Sequence, residues 1–566
     1  MSCETELCDI EDGFVTPGST LRSNGNLVHT KIRSRKAKNF DEVKQPLLIE
    51  SDLGWTKKIY SKAWGCAHNN SDTEYMCGLL MKAGYSFTSN ADEADLWLLN
   101  SCTVKTPSEN QLENAVNKAN KKIPVVVAGC VSQAAPNSSF LKGVSIIGVQ
   151  QIDQIVYVVE ETLKGNSVRL LSQRRKEILN LNLPKVRKNP FVEILAINSG
   201  CLNNCTYCKT KMARGDLKSF AIEALVERAK QAFEEGCREI WLTSEAYGRD
   251  IGHTLTDLLD ELVKVIPENC MMRLGMSNPP YILDYLKEIA DVLNHPRVYS
   301  FIHIPVQSAS DAVLSDMKRE YTSGQFRQVV DFMRNNVPEI YIATDFIVAF
   351  PTESEEDFKE SAILLEEYKF DSVFINMYYP RPNTAAARLK KIDTVEARKR
   401  TAELTRIFHS YTRYTPNRIG EIHDVLICEK ASDGVNFVGH NKPYEHILVP
   451  PAPGVELGGW TRVQITETSK FHMKSKVIET ESLETKSFLD NKIVYVVIAF
   501  LAQIVVFCLF CFTRIHTLIV KINRMLRSKN SCDVANDIHS SVCTFAIMHH
   551  VNWRIASSTS RSSDAC

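Results

Sequence analysis

The sequence predicts an α/β protein: an N-terminal parallel α/β domain, a partial β/α barrel, a small C-terminal β-barrel and one transmembrane helix. Three observations predict it. Short apolar runs alternate with helical stretches from residue 57 to about 376, the pattern of βα units around a buried parallel sheet. At 417–480 the runs shorten and are separated by Gly, Pro and Asp turns. At 493–512 there are 20 residues without a charge, enough to cross about 30 Å of hydrocarbon.

Composition limits the alternatives. A chain of 566 residues holds about three to five domains. Its 44% hydrophobic and 24% charged residues exclude wholesale disorder and fibrous repeats. With 67 Lys+Arg against 67 Asp+Glu there is no global field for nucleic acid, so any RNA contact rests on local patches. The 17 cysteines are too few for a disulfide scaffold and no secretory leader opens the chain, so reduced thiols in the cytosol are expected.

In chain order, residues 1–55 read as a disordered polar tail with a basic cluster at Lys31, Arg33, Arg35, Lys36 and Lys38. The first domain is placed at 56–165, with strands at Leu96-Trp97-Leu98-Leu99 and Val125-Val126-Val127-Ala128 and a helix at 109–122. A basic linker at about 170–190 follows. The barrel is placed at 187–416, with strand candidates at 191–197, 239–242, 272–276, 300–304, 341–347 and 373–376 and helices at 222–235 and 255–265. Six such strands over about 190 residues fit a partial or full β/α barrel better than a doubly wound sheet. The segment 417–480 reads as the all-β barrel, 493–512 as the membrane span, and 513–566 as a C-terminal tail.

The chemistry is concentrated in cysteines. Cys201, Cys205 and Cys208 follow the strand at 191–197 with Cys-x3-Cys-x2-Cys spacing. Three thiolates in one loop can hold three irons of a [4Fe–4S] cluster and leave the fourth open. A zinc ribbon would need a second Cys-x2-Cys pair, and none follows. With Tyr207 before the last cysteine, this loop resembles the radical S-adenosylmethionine signature. The resemblance implies that S-adenosylmethionine chelates the open iron and is split to a 5′-deoxyadenosyl radical.

Cys66, Cys102 and Cys130 each stand just beyond a predicted strand, in Gly65-Cys66-Ala67-His68, Asn100-Ser101-Cys102-Thr103 and Gly129-Cys130-Val131-Ser132. In a parallel sheet those strand ends share an edge, so the thiolates can converge. The competing reading is three independent buried cysteines. Their common position resembles the auxiliary-cluster ligands of the methylthiotransferase family, which implies a second [4Fe–4S] cluster that handles the inserted sulfur.

The resemblance runs from residue 57 to about 480. Cys201 to Lys211, Ile240-Trp241-Leu242-Thr243-Ser244-Glu245, Arg273-Leu274-Gly275-Met276-Ser277-Asn278-Pro279-Pro280 and His303-Ile304-Pro305-Val306-Gln307-Ser308 resemble one subgroup, the eukaryotic and archaeal threonylcarbamoyladenosine tRNA methylthiotransferases. That implies methylthiolation of C2 of N6-threonylcarbamoyladenosine at position 37, in the tRNA anticodon loop. It implies two [4Fe–4S] clusters, S-adenosylmethionine and an electron donor. Residues 417–480 then correspond to an RNA-binding TRAM domain, and 493–512 to an endoplasmic-reticulum membrane anchor that leaves the catalytic domains facing the cytosol. Basic residues after the span (Arg514, Lys521, Arg524, Arg527, Lys529) would by themselves keep that side cytosolic.

The chain departs from the family pattern in three places. Asp-Thr-Gly is missing after Ser244-Glu245, and Thr352 and Asn383 stand where the family prefers Gly. Asn tolerates a left-handed backbone better than Thr does. No general base is assigned, because an unactivated aromatic C–H is cofactor chemistry; His295 and His303 read as structural. Lys209, Lys211, Arg214 and Lys218 are candidate RNA contacts, with a solvated helix face as the alternative. Cys77, Cys237, Cys270 and Cys428 read as buried hydrophobes. Two other readings stay open: methylthiolation of isopentenyladenosine or of a protein aspartate, and a non-catalytic, membrane-tethered metal- or RNA-binding protein.

Overall fold

The computed structural model describes residues 57–103, 106–119, 122–171, 181–243, 246–480 and Ile519. The chain divides after residue 481 into two units, and all but one of the described residues belong to the first.

The first domain is a six-stranded parallel sheet built from β1 (Lys58–Trp64), β2 (Ser86–Phe87), β3 (Leu96–Ser101), β4 (Val125–Gly129), β5 (Ser145–Ile147) and β6 (Arg169–Leu170), in the order β2-β1-β3-β4-β5-β6. The two central strands, β3 and β4, match the apolar runs and are buried at every residue. Helices α1 (Ala67–Lys82), α2 (Thr106–Ala119), α3 (Cys130–Ala134) and α4 (Ile155–Leu163) cover the sheet. Helix α1 is buried nearly all round although it carries Asn69, Ser71, Asp72, Thr73 and Glu74. Its outer side packs on the next domain, where Ser71 Oγ donates to Ile194 O (3.2 Å) and the Tyr75 hydroxyl to Leu181 O (3.2 Å).

The barrel starts at β7 (Val192–Ala196). After the short hairpin of β8 (Asn198–Ser199) and β9 (Lys218–Ser219) come β10 (Glu239–Thr243), β11 (Met271–Arg273), β12 (Phe301–His303), β13 (Tyr341–Val348) and β14 (Ser372–Met377). Parallel pairing joins β7, β10 and β11, and likewise β12, β13 and β14. Single parallel bridges at Met272↔Val298 and Met276↔His303 connect the two groups, giving an open β/α barrel with strands in chain order. Helices α5 (Thr210–Arg214), α6 (Ile222–Glu234) and α7 (Leu255–Val265) follow its first strands. Ion pairs fasten this barrel to the first domain. Lys185 lies 3.2 Å from Glu74 and 2.9 Å from Glu193, and Glu193 also takes Arg187 at 2.6 Å and Arg228 at 3.0 Å. Burial opposes ionisation of Glu193, yet Lys185, Arg228 and Arg187 hold its carboxyl down at about 2.

The third part is a closed barrel of β15 (Ile422–Lys430), β16 (Phe437–His440), β17 (His446–Val449), β18 (Trp460–Thr468) and β19 (Met473–Thr480), in the order β15-β16-β17-β19-β18. The sequence reading finds four of these strands and misses β19, which closes the barrel.

The expected transmembrane helix is corrected. Among the described residues no helix is long and apolar enough to cross a membrane. The longest, α1 and Thr394–His409, have 16 residues each and are rich in polar side chains, whereas a span needs about 20 apolar ones. Residues 493–512 lie outside the described residues, as do the tails at 1–55 and 513–566, apart from Ile519.

Candidate active site

Both cysteine trios sit at the C-terminal ends of parallel strands. Strands β1, β3 and β4 are neighbours, and Ser101 pairs with both Trp64 and Gly129. Cys66, Cys102 and Cys130 follow these strand ends directly, so three residues from distant parts of the chain arrive at one edge. Gly65 makes the approach possible. Its φ is +118°, and a Cβ there would meet Cys102 Cβ at 2.3 Å. Cys102 and Cys130 are buried and Cys66 is half-buried. Asn69 organises the group, accepting at Oδ1 from the Cys130 thiol (3.5 Å) and from Arg214 Nη2 (2.8 Å). Burial pushes the Cys130 thiol up to about 11, and Arg214 acts in the opposite direction.

The second trio lies in the loop after β7 and β8. Gly200 (φ +79°) brings the loop against the chain at Asp216, whose carbonyl oxygen would be 2.0 Å from a Cβ at this position. Cys201 N–H donates to Gly215 O (3.2 Å), Thr206 N–H to Met317 O (3.0 Å) and Ala386 N–H to Thr206 O (2.9 Å), so three separate segments grip the loop. Tyr207 is buried against Phe350 and Tyr378, and Arg381 Nη1 donates to its carbonyl (2.9 Å). Cys201, Cys205 and Cys208, all half-buried, line one cavity of about 440 Å³ together with Asn203, Lys318 and Asn383. Two sulfurs accept hydrogen bonds suited to thiolates. Arg319 Nη1 donates to Cys205 Sγ at 3.3 Å and Thr210 N–H to Cys208 Sγ at 3.4 Å. Three thiols around one open cavity, with cationic and N–H donors to sulfur, fit an iron–sulfur cluster with an accessible iron.

Helix α5 joins the two trios. It begins just after Cys208 and, at five residues, rises only about 7–8 Å. Ala213 packs on Cys130, and Arg214 reaches Asn69 and Asp72 beside Cys66 and Cys130.

Several expectations change at this site. Arg214 is buried and ion-paired and Lys209 is buried, so neither is a surface RNA contact; Lys211 lies 3.2 Å from Asp216. The exposed cations on the cavity wall are Lys318 and Arg388. Asn383 adopts φ +70°, the conformation for which Gly is preferred, whereas Thr352 lies outside the left-handed region. Ser244 and Glu245, where the loop is shortened, are outside the described residues. His303 contacts Asp345 at 2.5 Å. Cys77, Cys237 and Cys270 are buried as expected; Cys428 is buried too, but its thiol points at Glu239. The sequence reading missed Asn69, Asp72 and Arg319. The one local signal was the run of polar residues in α1, which is too polar for a helix buried on both sides without partners.

An open parallel barrel with three cysteines in the loop after its first strand defines the radical S-adenosylmethionine class, whose enzymes use a [4Fe–4S] cluster and S-adenosylmethionine. The Radical SAM superfamily model matches residues 195–365, and the model described as Uncharacterized protein family UPF0004 matches 58–147. The chain belongs to the threonylcarbamoyladenosine tRNA methylthiotransferase family. It is 52% identical to the protein of that name from Xenopus laevis over 86% of this chain and 89% of that one, and 52% identical to the Homo sapiens protein over 86% of each. The "Probable threonylcarbamoyladenosine tRNA methylthiotransferase" of Methanothermobacter thermautotrophicus is 34% identical over 73% of this chain and 97% of its own.

Proposed function

We propose that this chain is a tRNA modification enzyme that methylthiolates C2 of N6-threonylcarbamoyladenosine at position 37, using S-adenosylmethionine and two [4Fe–4S] clusters. The observation that carries this reading is the placement of two three-cysteine sites at the ends of one short helix, α5. A sulfur source and a radical source must address the same carbon, and such a spacing lets one bound base meet both. Cys201, Cys205 and Cys208 would hold the radical cluster, and Cys66, Cys102 and Cys130 the auxiliary one.

When bound, the cofactors supply hydrogen abstraction and the transferred sulfur and methyl groups. The chain's own residues bind and position. Arg319 and the Thr210 N–H stabilise negative charge on Cys205 and Cys208, while Arg214 places a positive charge beside Cys66 and Cys130. Lys318 and Arg388 at the cavity suit phosphates flanking an unstacked loop base. The five-stranded barrel at 422–480 is the candidate TRAM domain for the rest of the tRNA.

The test is mass spectrometry of digested tRNA from a host that makes N6-threonylcarbamoyladenosine but does not methylthiolate it. Expression of the chain is expected to yield 2-methylthio-N6-threonylcarbamoyladenosine. Methylthiolated isopentenyladenosine instead, or no new nucleoside, overturns the assignment. After anaerobic reconstitution, Cys66→Ala and Cys201→Ala should each lower iron from about eight to about four per chain.

A further inference from the structure

At the opposite end of the barrel from the cysteines, its base meets the C-terminal barrel around a second buried polar cluster. Glu239 opens β10, Cys428 lies in β15 and His440 ends β16. All three are buried, and one donor atom from each lies within 4.8 Å of the others. The Cys428 thiol is 2.7 Å from Glu239 Oε1, and His440 Nδ1 is 3.7 Å from the same oxygen. The two domains are already fastened around this point. Asn189 Nδ2 donates to Cys428 O (3.0 Å), and Lys442 Nζ donates to Leu293 O (2.7 Å) and His295 O (2.8 Å).

Hydrogen bonding accounts for only part of the cluster. Glu239 is satisfied without help, since Trp241 Nε1 donates to Oε2 (2.8 Å) and the Tyr299 hydroxyl donates to Oε1. What remains is the imidazole. Both ring nitrogens of His440 are buried and neither has a polar atom at normal hydrogen-bond distance, the Glu239 carboxylate at 3.7 Å from Nδ1 being the group it faces, although a histidine ring always carries at least one N–H donor. The ring is held by stacking on Tyr444, centroids 4.1 Å apart. Next to it, His446 Nε2 is also buried and unpartnered, with the two histidine rings 5.1 Å apart.

We propose that Glu239, Cys428 and His440 bind a zinc ion that staples the C-terminal barrel to the base of the catalytic one. One sulfur, one imidazole nitrogen and one carboxylate oxygen form a mixed set that suits Zn²⁺ and not Mg²⁺ or Ca²⁺, which take oxygen ligands. Binding exchanges the Cys428 thiol proton, released to solvent, for the S–Zn bond, and thiolate and carboxylate together balance the ion's two charges. His446, whose ring centroid lies 5.1 Å from that of His440, falls outside this group of mutually close donor atoms, so a water would complete the tetrahedron. The site lies away from the cluster cysteines and does not rest on the proposed reaction.

The test uses the full chain with Cys66, Cys102, Cys130, Cys201, Cys205 and Cys208 all changed to Ala, so that zinc cannot occupy the cluster sites. After chelator treatment and loading with Zn²⁺ alone, about one zinc per chain should be retained. Adding Cys428→Ser or His440→Ala should weaken binding by at least about a hundredfold. Co²⁺ in place of zinc should show tetrahedral d–d bands and one thiolate-to-metal charge-transfer band. This readout needs no change at the site, so it decides the matter if the ligand variants misfold. No retained zinc, a cobalt spectrum without the thiolate band, or zinc binding unchanged by Cys428→Ser overturns the proposal.

Discussion

Arg214 Nη2 donates a 2.7 Å hydrogen bond to Asp72 Oδ2, joining two residues 142 positions apart from the two cysteine-bearing domains. Both side chains are almost fully buried. Burial alone would raise the Asp72 carboxyl, and Arg214 works against that rise. Arg214 also faces Cys66 and Cys130, so one guanidinium serves the domain interface and the N-terminal trio. Losing one partner of a buried ion pair strands the other charge, at a cost of about 3–5 kcal/mol. Arg214→Gln is therefore expected to destabilise the chain by that amount in chemical denaturation, and to lose iron from the N-terminal site first. The double change Asp72→Leu with Arg214→Met should restore much of the stability but not that iron. Recovery of both would mean the arginine acts only as a tether.

Gly200→Ala provides a sharper geometric test. The residue needs φ +79°, and its Cβ would fall 2.0 Å from the Asp216 carbonyl oxygen, a backbone atom that cannot swing aside. The cysteine loop must then move. Iron at the Cys201 site should fall to near zero while iron at the Cys66 site is retained, read by iron analysis and EPR after anaerobic reconstitution. Full occupancy of both sites in Gly200→Ala would show that the loop tolerates the shift.

Much of this site is legible in the sequence because its chemistry sits where local patterns end. The apolar runs of β3 and β4 stop at Ser101 and Gly129, and the next residue is a ligand candidate in each case. Parallel order then brings them together without further information. What is not legible depends on contacts between domains. Lys209 and Arg214 look like a basic surface, and only the packing of α5 against α1 and α3 buries Arg214 beside Asp72. Strand β19 escaped because its inward positions include Ser475, so Met473-Lys474-Ser475-Lys476-Val477 has too weak an apolar alternation to register. Cys428 was classed as a hydrophobe because nothing near it in sequence announces Glu239, 189 residues earlier.

Arg319 predicts a redox effect. It donates to Cys205 Sγ at 3.3 Å and is itself steered by Asn278 and by Tyr321, whose hydroxyl lies 3.3 Å from Nε. Hydrogen bonds and positive charge at cluster sulfurs stabilise the reduced, more negative state. Arg319→Gln should thus shift the midpoint potential of the Cys201-site cluster downward, making the cluster harder to reduce. An EPR-monitored redox titration of a chain lacking the other cluster reads the potential directly. A potential unchanged from that of the parent would assign Arg319 to loop packing alone.

The last prediction concerns acid. Glu445 is buried and meets Arg413 and Arg418, each at 2.5 Å, while Asn441 Nδ2 donates to Oε2 at 2.7 Å. Arg413 also contacts Asp371 at 3.1 Å and the Ile340 carbonyl at 3.1 Å, so the cluster ties the C-terminal barrel to the catalytic one. Burial opposes ionisation, but Arg418 and Arg413 hold the carboxyl down at about 2 against an ordinary 4.5. The folded carboxyl thus stays ionised where an unfolded one takes up a proton. Its contribution is complete above pH 4.5 and is lost as the pH falls towards 2. Glu193 works in the same window and with the same sign. Because clusters are acid-labile, the measurement belongs to the chain without its six cluster cysteines, followed by thermal unfolding across that range. Stability should fall steadily from pH 4.5 downward. Glu445→Gln should be less stable at neutral pH, by about 3 kcal/mol. It should also show a shallower acid slope, because a strongly depressed carboxyl no longer titrates. An identical slope in the variant would place the acid sensitivity elsewhere in the fold.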